Sequence, residues 1–84
     1  MRLVITRFRS VDSNWFVGER DEKLSPLLEQ AVPVTGETDS LLTMWPTRAE
    51  ACSYAAVVSR LVAAYPDRPK RDLRERAREI VRHG

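Results

Sequence analysis

Residues 47–65 constrain the fold more than any other stretch of the chain. Thr47, Arg48, Ala49 and Glu50 spell a capping box. The Thr47 hydroxyl can accept from the Glu50 amide while the Glu50 carboxylate reaches back to the Thr47 amide, so two orphan donors are satisfied reciprocally. Pro46 stands just ahead, where its missing N–H removes no helical bond. Ala51, Tyr54, Ala55, Val58, Leu61, Val62 and Tyr65 then recur at helical spacing and form one apolar stripe. Pro66 stops the helix, because the residue before a proline is driven out of the α region. A helix with one apolar stripe must lie on another layer.

The rest of the chain supplies that layer as strands. Residues 3–8 are rich in β-branched and aromatic side chains. The Val4/Phe8 face is expected to be the more buried one, since Arg7 and Arg9 must keep their charged heads in water. Val11, Asp12, Ser13 and Asn14 carry turn chemistry, and Trp15, Phe16 and Val17 resume an extended run closed by Gly18. The product is a β-hairpin over about residues 3–20. Ser25 and Pro26 suit a short helix start, Val32, Pro33 and Val34 a short edge piece, and residues 35–40 a polar loop. Residues 41–45 form a third strand leading into the helix. After Pro69, residues 70–82 form a second helix whose narrow stripe is Leu73, Ala77, Ile80 and Val81.

The expected architecture is therefore α+β: a three-stranded antiparallel sheet packed by one long helix, plus a basic C-terminal helix. At 84 residues the chain is one domain with a modest core, the sheet and central helix at 3–65 and the second helix at 70–82. No run approaches the roughly 20 apolar residues of a membrane span. Leu3, Val4 and Ile5 are too few for a signal peptide, whose apolar region runs to about 7–15 residues. The single cysteine, Cys52, cannot form an internal disulfide, which points to the cytoplasm.

That inventory also bounds the chemistry. Metal binding needs several soft or imidazole ligands at set spacing, and the chain has one cysteine and one histidine. His83 sits next to the last residue, away from any nucleophile. Cys52, beside the apolar stripe, reads as a small buried hydrophobe. Gly18, Gly36 and Gly84 make no phosphate-binding loop. A non-catalytic chain without metal or cofactor is expected.

Its charge is informative in another way. The net charge is only +2, but residues 21–50 hold six acidic against two basic side chains, and residues 66–84 hold seven basic against four acidic. The surface is bipolar rather than uniformly basic. Arg71, Arg74, Arg78 and Arg82 share a helical face that could hold phosphates or an acidic protein surface. Asp72, Glu75 and Glu79 on the same helix would make it merely a solvated, balanced one. Glu19, Asp21 and Glu22 read as a solvated turn, or as a secondary acidic patch that mimics phosphates. Trp15 and Phe16 are adjacent in a strand and point to opposite faces. One of them is an exposed partner contact unless a helix covers the second face. Tyr54 and Tyr65 are core, with hydroxyls at its edge.

A hairpin, a loop, a short strand, then Thr47, Arg48, Ala49, Glu50 and Ala51 opening an alanine-rich helix resembles small phage and mobile-element proteins. Among these it looks like the anti-CRISPR inhibitors, over about residues 3–65. That resemblance implies a compact, non-enzymatic protein in the host cytoplasm that sterically blocks a host protein or nucleoprotein complex, such as a CRISPR effector. The partner-binding candidates are Trp15, Phe16, Glu19, Asp21, Glu22, Arg71, Arg74 and Arg78. The competing expectation is a small nucleic-acid-binding or transcription-regulatory protein, possibly a homodimer, that uses the Arg-rich helix.

Overall fold

A computed structural model describes residues 3–7, 15–19 and 39–84. The turn at 11–14, the helix start at Ser25, the piece at 32–34, most of the polar loop, Phe8, Arg9, Asp21 and Glu22 lie outside the described residues. Among the described residues three strands, β1 (Leu3–Arg7), β2 (Trp15–Glu19) and β3 (Thr43–Trp45), precede two helices, α1 (Arg48–Ala64) and α2 (Lys70–His83). The sheet is antiparallel in the order β1-β2-β3. The expected α+β fold, with the long helix packed on the sheet, is the one observed.

The capping chemistry places α1. The Thr47 hydroxyl accepts from the Glu50 amide at 3.2 Å, and Tyr65 closes the other end through its amide to the Leu61 carbonyl at 2.8 Å. The reciprocal half of the box differs in detail, because the Thr47 hydroxyl donates to Glu50 Oε1 at 2.8 Å. Thr47→Ala removes both contacts and should destabilise the protein by about 1 kcal/mol in urea unfolding.

Strand register decides which sheet face meets α1. Ile5 pairs with Val17, and Trp15 stands between Arg7 and Trp45. Leu3, Ile5, Trp15, Val17 and Trp45 therefore lie on one face, and they pack with Ala51, Tyr54 and Val58 of α1. The Leu3/Ile5 side of β1 thus meets the helix, Leu3, Val4 and Ile5 are all half-buried, and Phe8, on the side expected to be the more buried, lies outside the described residues. Gly18 does not close β2, which continues to Glu19 opposite Leu3.

β3 begins two residues later than expected. The Leu42 amide donates to Ser40 Oγ at 3.1 Å, and the Leu41 carbonyl accepts from the Tyr54 hydroxyl at 2.6 Å. Both backbone groups are thus committed to turn and tertiary bonds. Leu41 and Leu42 are nonetheless buried.

Tyr54 joins the layers. Its ring lies 5.5 Å from that of Trp45, tilted by 38°. Thr43 hydrogen-bonds the Tyr54 hydroxyl and accepts from Trp45 Nε1 at 2.8 Å. Among the described residues, no buried side-chain polar atom lacks a partner. Burial pushes the Tyr54 hydroxyl well above its ordinary pKa, with bonding to Thr43 and the nearby Arg74 pulling weakly the other way. The folded state therefore holds the proton where the unfolded state releases it. Stability from this group is complete below pH about 10 and falls above it, by up to about 1.4 kcal/mol per pH unit. Tyr54→Phe should flatten that alkaline decline in denaturation curves measured from pH 9 upward.

α2 packs along α1 through Leu73, Ala77 and the half-buried Val81. Pro69, its N-cap, offers no side-chain acceptor. Asp39 serves instead, with Oδ1 accepting from the Arg71 amide at 3.1 Å. Lys70 Nζ meets Glu19 Oε2 at 2.8 Å, and Arg74 donates to the Ser40 carbonyl at 2.8 Å. The start of α2 is thereby fastened to the end of β2 and to the segment before β3.

Candidate docking surface

Helical position determines which of the expected site residues reach the surface. Arg74 lies three residues before Ala77 and seven before Val81, on the same inner stripe. It is 0% exposed, and besides Ser40 it contacts Glu75 Oε1 through Nε at 3.0 Å. Arg74 is therefore a structural residue. The expected arginine face of α2 is broken at its second member, because that face runs along the edge of the buried stripe.

Phe16 is likewise removed from the surface at 2% exposure, on the sheet face opposite Trp15 and Val17. Trp15 is half-buried, packed against the core, with the Arg48 guanidinium 5.8 Å from its ring centroid. Glu19 is engaged by Lys70. Arg71 is exposed, and Arg78 is partly exposed with Nη1 3.4 Å from Glu75 Oε1. The eight candidates thus do not form one site among the described residues. Cys52 is exposed rather than buried, since it lies one residue, or about 100°, round α1 from Ala51. Among the described residues, no three His, Cys, Asp or Glu side chains could together hold a metal ion. No helix of the described residues is long and apolar enough to cross a membrane.

What the sequence reading missed lies between the helices. Tyr65 continues the α1 stripe, yet it is 51% exposed. Tyr65 is the C-cap of α1, with φ −130° and ψ 65°, so its side chain leaves the helical stripe, while Leu61 and Val62 of the last turn still pack against the core. Ile80 of α2 is 38% exposed because it lies 60° from Ala77 round the helix, on the edge of the inner stripe. Together they flank a groove of about 380 Å³ floored by Leu61 and Leu73 and rimmed by Arg68, Arg76 and Asp72. The Arg68 guanidinium sits 5.9 Å from the Tyr65 ring centroid. Its amide donates to the Tyr65 carbonyl at 3.2 Å in the turn bounded by Pro66 and Pro69. Pro66, which drives the preceding Tyr65 out of the α region, was the signal available in the sequence.

Compared with known protein families, characterised proteins and solved structures, the chain has no match.

Proposed function

We propose that the chain is a non-catalytic protein–protein interaction module, in its most concrete form a phage-type anti-CRISPR inhibitor. It would act in the host cytoplasm by sterically blocking a nucleoprotein effector complex. The observation that supports a binding role is the pair of exposed apolar side chains, Tyr65 and Ile80, on one groove with arginines at its rim. Aromatic and arginine side chains around a partly desolvated pocket are the usual carriers of binding energy at protein interfaces. The anti-CRISPR reading adds the target class and rests on the order of elements from the hairpin to the Thr47 cap.

A tagged pull-down from bacterial lysate, with and without nuclease and read by mass spectrometry, tests the function. Capture of a defined multi-subunit effector that survives nuclease supports it. Capture that vanishes with nuclease moves the function to nucleic acid, and recovery of the chain alone removes the inhibitor reading.

Arg71 and Arg78 can be tested separately from the groove. Arg71→Ala with Arg78→Ala should change stability by no more than about 0.5 kcal/mol, because neither side chain is in the core. Adding Arg74→Ala to the pair should cost about 2–4 kcal/mol of stability, so a triple variant mixes a folding effect into any test of binding. If these arginines instead neutralised phosphates, affinity for a duplex would fall with salt at a slope of about 0.9 per contact.

A further inference from the structure

We propose that the groove between α1 and α2 is a docking site for an acidic amphipathic helical segment of the partner protein. The inference rests on the reading of the chain as a protein-binding module and names the chemistry of what it binds. An apolar side chain of the segment sits between Leu61, Tyr65 and Ile80. Its carboxylates pair with Arg68 and Arg76.

Charge complementarity selects this occupant. Of the three charged residues lining the groove, Arg68 and Arg76 are basic and Asp72 is acidic. Beside the groove, exposed Arg60, Arg71 and Arg82 are offset by exposed Asp67, Glu75 and Glu79, so the excess of positive charge lies at the rim itself. A neutral apolar segment would bring no carboxylate to the rim guanidiniums, and a basic one would be repelled. The groove runs between two helices over an apolar floor, a form that takes an amphipathic helix, and Arg68 in the turn before α2 and Arg76 within α2 place the two rim cations on different elements.

The groove is also prepared for binding. The turn around Arg68 is bounded by two prolines and closed by a backbone hydrogen bond, and its guanidinium already rests near the Tyr65 ring. Less conformational entropy is then lost when a carboxylate arrives. A second copy of this chain is a poorer occupant, because two-fold packing would set the net-positive rim against itself. A nucleic-acid strand is disfavoured by Asp72 and by the single aromatic ring, where strand binding calls for successive stacking platforms.

The test is selection of a random library of displayed peptides, each of about 16 residues, on the full chain. Enriched peptides should be rich in Asp and Glu, with Leu, Ile, Met or Phe recurring at i, i+3 and i+4. Arg68→Glu with Arg76→Glu should weaken a selected peptide by about tenfold or more in fluorescence anisotropy. Ile80→Ser should weaken it similarly, and Arg71→Glu with Arg78→Glu by less than about twofold. Circular dichroism of each variant confirms that the fold is kept. No enrichment, enrichment without acidic bias, or peptides that ignore Arg68, Arg76 and Ile80 would overturn the proposal. So would self-association in sedimentation that Ile80→Lys abolishes, which would assign the groove to a second copy. Acidic peptides that bind elsewhere would overturn the groove assignment and leave the interaction-module reading intact. Nuclease-sensitive capture would overturn that reading itself.

Discussion

Arg74→Ala is expected to destabilise the protein by about 2–4 kcal/mol, although it changes a charged residue in an Arg-rich helix. The guanidinium is fully buried, and its Nη1 donates to the Ser40 carbonyl at 2.8 Å. Ser40 is itself buried at 8% exposure, so its carbonyl has little access to water once that donor is gone. An abandoned buried acceptor costs about 1–3 kcal/mol, and the cavity left by the missing stem adds to it. Arg74→Met separates the two contributions, since it retains most of the packing and loses the hydrogen bonds. For a domain whose whole stability is about 5–15 kcal/mol, either change should lower the urea midpoint clearly at an unchanged slope. A midpoint within error of the parent's would mean that Arg74 is not held where the structure places it.

Tyr54→Ala is expected to be more severe still, at about 3–5 kcal/mol. Tyr54 is fully buried between the sheet and α1, stacks on Trp45, and is the described residue through which Leu41, Thr43 and α1 are linked. Removing an aromatic ring from a core of this size leaves a cavity that the small domain cannot refill. Tyr54→Phe isolates the hydroxyl. It keeps the ring and should lose about 1–2 kcal/mol, because the Leu41 carbonyl loses its donor. Thermal and urea unfolding of the two variants should rank them parent, Phe, Ala. Equal stability of parent and Phe variant would remove the hydroxyl from the account.

The parts of this fold that were legible in the sequence are those set by neighbouring residues. Thr47, Glu50 and Pro66 fix both ends of α1 by local chemistry, and the pairing of β1 with β2 follows from two extended runs around a turn. The parts that were not legible depend on groups far apart in the chain. The late start of β3 reflects a Ser40 turn and a tyrosine 13 residues on. The cap of α2 comes from Asp39, 32 residues before the amide it accepts. Arg74 looks like a surface residue by composition, and only its spacing from Ala77 and Val81 places it inward. The groove needed the conformation of Tyr65, which the stripe spacing treats as helical and which Pro66 turns out of the helix. Trp15 and Phe16 were assigned to opposite faces correctly, but alternation alone could not say that both faces bury them substantially.

The most direct test of the central claim, that the chain binds a protein partner through the α1/α2 groove, is site-specific photo-crosslinking in nuclease-treated bacterial lysate. One variant carries a benzoylphenylalanine crosslinker in place of Tyr65, at the groove. A second carries it in place of Ser53, exposed near the other end of α1. The account predicts one discrete protein adduct from position 65, lost when Arg68→Glu and Arg76→Glu are added, and none from position 53. Adducts from position 53 alone, or identical adducts from both positions, would contradict it.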